Sequence, residues 1–168
     1  MHIEIERKFL VINDGWRSAA VAAERLYDGL VAEFDGAKVR VRLGEAKASI
    51  AVKTARYGPT RTEFEYEIPT ADAKAMLMTV CGDRVIEKTR HTVEHGGFLW
   101  VVDVYAGRLA GIVLAEIELE DEDQRFSVPP WVGKEVTGDP RFRKRMIDRM
   151  CREAGRPVTI SELLALGV

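Results

Sequence analysis

The chain has 168 residues, 46% of them hydrophobic, with 25 basic against 27 acidic side chains and a formal net charge of -2. That is enough apolar material for one core and one domain spanning 1–168, and the near balance of charge excludes a global field pointing to nucleic acid or an anionic membrane, so any anion site must be local. The start, His2-Ile3-Glu4-Ile5-Glu6-Arg7-Lys8, has no apolar signal core and no apolar run approaches the ~20 residues of a membrane span, so the expectation is a soluble cytoplasmic protein whose Cys81 and Cys151 are buried free thiols.

In chain order, alternation of polar and apolar residues marks a first strand near 3–11 and then a helical stretch near 14–24. Strands follow near 26–33, 38–43, 47–54 and 61–68, and a helix near 71–80 with Thr70 as its cap. Three more strands fall near 84–94, 98–106 and 112–120. Helices near 139–154, opened by Asp139-Pro140, and 160–166 close the chain. Asp35-Gly36, Gly44, Tyr57-Gly58-Pro59, Gly96-Gly97 and the stretch from Gly107 to Gly111 supply turn chemistry between strands. Connections this short make neighbouring strands antiparallel. The class is α+β.

Five strands repeat one sign of charge at alternate positions: Glu4/Glu6, Arg40/Arg42, Glu63/Glu65, Lys88/Arg90 and Glu116/Glu118. Period two puts each pair on one face, roughly 6.6 Å apart, while Ile5, Val41, Phe64, Tyr66 and Ile117 take the other face. Such pairs repel by about 2–3 kcal/mol at an effective dielectric of 20. A merely wet face mixes signs, so acidic and basic pairs on separate strands point to a site for metal cations and a polyanion together. Eight antiparallel strands can close into a barrel whose bore holds side chains or one small ligand. Closure would bring Glu4, Glu6, Lys8, Arg40, Arg42, Lys53, Glu63, Glu65, Lys88, Arg90, Asp103, Glu116 and Glu118 onto one lumen. Confined charges must be paired or bound to ions.

Other features read more simply. His91 and His95 fall on strand and turn, as exposed polar residues. Met146, Met150, Trp16, Trp100 and Trp131 read as core contacts. The basic run Arg141, Arg143, Lys144, Arg145, Arg149 and Arg152 is better explained as a solvated helix face than as a nucleic-acid surface, since only Phe142 is an aromatic neighbour, with a contribution to closing the tunnel ranking between the two. No Walker-type loop or Gly-x-Gly-x-x-Gly fingerprint offers a nucleotide site.

The ordered set Glu4-Ile5-Glu6-Arg7-Lys8, Arg40-Val41-Arg42, Lys53, Glu63-Phe64-Glu65, Lys88-Thr89-Arg90, Asp103 and Glu116-Ile117-Glu118 resembles the CYTH domain of the triphosphate tunnel metalloenzymes over nearly the whole chain. The segments from Phe98 to Gly111 and from Pro129 to Thr137 resemble the small bacterial branch of that family. The resemblance implies a closed eight-stranded antiparallel tunnel with helices outside and at the C-terminus, and divalent metal, Mg²⁺ or Mn²⁺, held by Glu4, Glu6, Glu116 and Glu118 with Asp103, Glu63 and Glu65 as helpers. Lys8, Arg40, Arg42, Lys53, Arg61, Lys88 and Arg90 would grip the phosphates. Tyr27 with Lys53 matches, by position, a base pair used by some relatives, the other reading of Tyr27 being a packing residue at the barrel rim. The implied activity is metal-dependent hydrolysis of a small triphosphate, inorganic tripolyphosphate first. The alternatives are a class IV adenylate cyclase, a thiamine triphosphatase, or a polyphosphate-binding module without turnover. Lys144 and Phe142 depart from the Asn and Tyr usual in relatives. A barrel exterior not fully covered by four helical segments leaves room for a homodimer.

Overall fold

The computed structural model describes residues 2–167. Its strands are β1 (Ile3–Val11), β2 (Ala20–Phe34), β3 (Ala37–Leu43), β4 (Ala48–Lys53), β5 (Thr60–Ile68), β6 (Val85–His95), β7 (Phe98–Tyr105), β8 (Val113–Leu119) and β9 (Val132–Glu135). The helices are α1 (Thr70–Met76), continued by a π turn over Leu77–Cys81, α2 (Lys144–Ala154) and α3 (Ile160–Ala165). The order β5-β4-β3-β2-β6-β7-β8-β1 closes on itself because β1 also pairs with β5, so eight antiparallel strands form a ring. One flank of β1 is shared: residues Ile3 to Ile5 pair with β5, while Phe9 and Val11 pair with β9 outside the ring.

The ring works because period-two patterning turns most of the strand charges inward and most of the large apolar side chains outward; β7, whose inward residues include Leu99 and Val101, is an exception. Two patches of the exterior are covered. Ile5, Phe9, Val93, Trp100 and Ile117 pack with Trp16 and Trp131, brought in by the 3-10 turn Asp14–Ala19 and the segment before β9. Val41 and Ala48 pack with Ala73 and Cys81 from α1 and its π turn. There Gly29 of β2 is required by close approach: a Cβ would stand 2.6 Å from Cys81 Sγ and Leu77 Cδ2. Val52, Phe64 and Tyr66 remain exposed, at 45%, 38% and 58%, so the helices do not cover the whole exterior.

The third cluster closes the bore. Leu10 and Leu114 share faces with Lys8 and Glu116 two residues away, and Tyr105 lies opposite Lys88 in register. These side chains pack with Phe142, Ile147, Cys151, Val158 and Leu163, so the C-terminal helices seal one end of the ring with apolar contacts.

Four boundaries differ from the sequence reading. The stretch 14–24 is a 3-10 turn followed by the start of β2, because Ala20 to Glu24 pair with Val93 to Arg90 of β6; ladder pairing overrides the helix propensity of alanine. Thr70 is the first residue of α1 and makes no side-chain cap. Asp139 caps a 3-10 turn at Pro140–Phe142, and extended Arg143 separates that turn from α2. β9 was missed, being only four residues long. The thiols of Cys81 and Cys151 are free and buried.

Candidate active site

The inner face of the ring lines a cavity of about 1750 Å³. Its charges are arranged as linked clusters. Asp28 of β2, 4% exposed, accepts from Arg42 Nε at 2.7 Å and Nη2 at 3.1 Å and from Lys144 Nζ at 3.2 Å, with Arg40 and Lys88 each at 3.6 Å. Burial alone would raise its pKa, but Arg40, Lys144, Lys88 and Arg42 outweigh burial and hold the carboxyl well below the usual range. Asp103 of β7, fully buried, accepts from Lys88 and takes both Arg90 Nε and Nη2 at 2.8 Å, a bidentate pair. Arg90 Nη2 also reaches Glu116 at 3.3 Å, and Glu116 receives Lys8 Nζ at 3.0 Å.

A second group centres on Glu4. Arg61 donates to it, Arg56 Nη2 lies at 3.2 Å and Lys53 Nζ at 3.5 Å, while Lys53 also pairs with Glu63. Burial opposes ionisation of Glu4, yet the Arg61 hydrogen bond and the Lys53 charge hold it far below the ordinary glutamate value. Glu6 is nearer the margin of this group, 3.7 Å from both Arg56 and Lys8.

Glu118 behaves differently. It lies opposite Glu6 in the β1–β8 register and, among the described residues, makes no ion pair. Partial burial and then the Glu4, Glu6 and Glu63 charges push its pKa up. Glu63 is likewise raised, by burial first, despite its Lys53 partner. Like charges that resist ionising together leave a place where a cation would be stabilised, and an all-carboxylate donor set suits a hard divalent ion. As the side chains stand, no three acids among the described residues form a ready ligand cluster. The chemistry of Glu4, Glu6, Glu63 and Glu118 therefore fits a metal whose binding would draw Glu4, Glu6 and Glu63 from their present arginine and lysine partners.

The structure brings Glu4, Glu6, Lys8, Arg40, Arg42, Lys53, Arg61, Glu63, Glu65, Arg90, Glu116 and Glu118 to the cavity wall, with Lys88 and Asp103 buried behind it. Glu65 is exposed and accepts from Ser49 Oγ at 2.6 Å. Tyr27 is the correction. Its neighbour Asp28 takes the inward position, so Tyr27 points outward beside Arg25, whose guanidinium lies 5.5 Å from the ring centroid. The expected Tyr27–Lys53 pair is not assembled.

Sequence reasoning missed Asp28, Arg56 and Lys38, all of which line the cavity, and placed Lys144 on a solvated face. Lys38 extends the Arg40/Arg42 ladder by one step and was legible there. Asp28, a single acid between Tyr27 and Gly29, gave no repeat, and Arg56 sits in an irregular loop. The rest of the basic run does meet solvent and local acids: Arg145 with Glu33, Arg149 with Glu153, Arg152 with Asp148 and Asp83.

Among the described residues, no helix is long and apolar enough to cross a membrane. A family model described as the CYTH domain matches residues 2–148. The chain is 45% identical over 140 residues to an inorganic triphosphatase of Acetivibrio thermocellus, covering 83% of this chain and 88% of that protein. It is 36% identical over 149 residues to an inorganic triphosphatase of Nitrosomonas europaea, covering 86% and 95%. A crystal structure of an inorganic triphosphatase superposes with a TM-score of 0.60 at 32% identity, covering 86% of this chain and 93% of that one.

Proposed function

The chain belongs to the CYTH domain family, and on that premise we propose that it is an inorganic triphosphatase, hydrolysing a terminal phosphoanhydride of a small triphosphate with a divalent metal. The observation that carries the proposal is the division of charge inside one bore. Glu118 stands without a cation partner beside Glu4, Glu6 and Glu63, while Arg40, Arg42, Lys53 and Arg90 line the same space and Lys88 lies buried behind it. A pure anion binder gains nothing from an uncompensated acid; a site for a metal–phosphate complex needs one.

Mg²⁺ or Mn²⁺ held by Glu4, Glu6, Glu63 and Glu118, with Glu116 and Glu65 at the margin, would supply charge neutralisation and a polarised water. The protein's own groups do the rest. Arg40, Arg42, Arg90 and Arg61 present planar forks matched to non-bridging oxygens, Lys8 and Lys53 add point charges at the wall, and Lys88 adds its charge from behind it. Asp28 and Asp103 hold Arg40, Arg42, Lys88 and Arg90 in place before substrate arrives, so little reorganisation of that group is needed as charge spreads over the transferring phosphoryl group. Burial of Lys53 lowers its pKa, with Arg40 and Arg61 adding to the effect, which suits a lysine that accepts or returns a proton near the reacting water.

Inorganic tripolyphosphate is the favoured substrate because Lys8, Arg40, Arg42, Lys53, Arg61 and Arg90 converge on the cavity as partners for a short polyanion, and the curated relatives are inorganic triphosphatases. The test is phosphate release from tripolyphosphate, ATP and thiamine triphosphate, with Mg²⁺, with Mn²⁺ and with chelator. Release from tripolyphosphate only with metal is the expected result; tight metal-independent binding without release from any of the three would favour a binding module. The uncovered strip of Val52, Phe64 and Tyr66 supports extending the proposal to a homodimer, which light scattering of the purified chain checks.

A further inference from the structure

The tunnel holds one strand cation that the ion-pair pattern leaves over. Lys38 lies on β3 two residues before Arg40, on the face lining the cavity, opposite Lys53 of β4 in register. The other lysines and arginines that ring strands turn into the bore are all paired: Lys8 with Glu116, Arg40 and Arg42 with Asp28, Lys53 with Glu63, Arg61 with Glu4, and Lys88 and Arg90 with Asp103. Among the described residues Lys38 has no such partner. Glu33, its register neighbour on β2, is engaged by Arg145 at 3.0 Å. The charges that do face it are Arg40 from its own strand, Lys53 from β4, Arg61 from β5 and Lys8 from β1.

A second observation points the same way. Arg40 Nε is buried and has no hydrogen-bond acceptor, an orphan donor on the neighbouring inward position of the same strand. The buried Arg40 N–H is costly to leave without an acceptor, and the Lys38 ammonium beside it is repelled by the surrounding like charges; an anion would relieve both. A metal ion cannot be that occupant in so positive a place. An anion offering several oxygens matches both donors, which is the chemistry of a phosphoanhydride chain.

We propose that Lys38 is a further substrate-binding residue, donating with Arg40 Nε–H to non-bridging oxygens of the bound phosphate chain. The inference rests on the triphosphatase reading and adds a contact to it. Burial, reinforced by the surrounding cations, lowers the Lys38 pKa to about 8 in the empty tunnel. The neutral fraction therefore grows as pH climbs past that value, while a bound polyanion favours the charged form. Substrate affinity should fall with rising pH in that window. Lys53 is also shifted down, so the Lys38 contribution is read as a difference between variants.

The experiment compares the intact chain with Lys38→Met and Lys38→Arg, measuring tripolyphosphate Kd by calorimetry, and KM and kcat by phosphate release with Mg²⁺, at about pH 7 and about pH 9. Lys38→Met should raise Kd and KM about tenfold at the lower pH, leave kcat within about twofold, and weaken less on going to the higher pH than the parent does. Lys38→Arg should restore affinity and hold it at the higher pH, because a guanidinium stays charged there. Unchanged Kd and KM in Lys38→Met at both pH values would overturn the inference. A parent chain that binds tripolyphosphate without hydrolysing it overturns the triphosphatase reading, and Lys38 is then still decided by Kd. A parent chain that does not bind it overturns both.

Discussion

Asp28 is the residue on which the empty tunnel most depends. Arg42, Lys144, Arg40 and Lys88 all lie within ion-pair distance of its carboxylate. Asp28→Asn would leave those cations facing one another in a confined space, at a cost of about 3 kcal/mol. The expected outcome is a clearly lowered Tm, with the deficit reduced by added tripolyphosphate, since an anion that binds only the folded chain replaces the missing charge. The pH sign follows from the depressed pKa of Asp28: its stabilisation is present above the ordinary carboxylate value and is lost as pH falls through the lower folded value, so the variant should show a flatter acid limb in denaturation curves. Tyr27 gives the opposite control. Because it points outward beside Arg25, Tyr27→Phe should leave kcat/KM for tripolyphosphate within about twofold. Paired charges such as Arg40/Arg42 were legible because alternation is a one-dimensional signal. Asp28 was not, because a lone acid becomes meaningful only when three other strands or helices deliver cations to it.

At the level of elements, the ladders could be located from sequence wherever charge and apolar residues alternate, and β1, β3, β4, β5, β6, β7 and β8 all fall where that pattern placed them. β2 was shortened for an equally physical reason. Ala20, Ala22 and Ala23 carry no strand signal of their own, and it is Val93, Thr92 and His91 of β6 that hold them extended. The helices α1 and α2 are likewise defined by what they cover. α1 and its π turn approach β2 so closely that Gly29 is in contact with Cys81 and Leu77. Gly29→Ala should push this element off the ring and cost about 1–3 kcal/mol, read as a lower urea midpoint with an unchanged m-value. α2 joins the core through Ile147 and Cys151 while Lys144, on its first turn, extends to Asp28. Burial drives Lys144 to a pKa well below the ordinary lysine value, with Lys88 next in effect, so the helix plugs the bore with a charge it holds at some cost.

Across the whole molecule, two kinds of carboxylate share the bore, and they should respond oppositely to removal. Asp28 and Asp103 are counter-ions that keep the cation belt together. Glu118 is not: among the described residues it has no ion-pair partner, and partial burial first, then Glu4, Glu6 and Glu63, raise its pKa. A glutamate whose folded pKa lies above its unfolded value of 4.5 favours the folded chain less and less as pH rises from that value through the raised one, so ionised Glu118 works against stability at neutral pH. Its exposure to solvent at the tunnel wall screens the effect and keeps it small. Glu118→Gln should therefore leave Tm no lower than the parent's at neutral pH while reducing metal-dependent phosphate release at least ~100-fold, the size expected when a group stabilising the transition state through a metal is lost. A residue retained against stability is explained by function, and calorimetry on the same samples used for the assay separates the two. If Glu118→Gln instead unfolds the chain as Asp28→Asn is expected to weaken it, the acids form one structural network and the division into counter-ions and metal ligands is wrong.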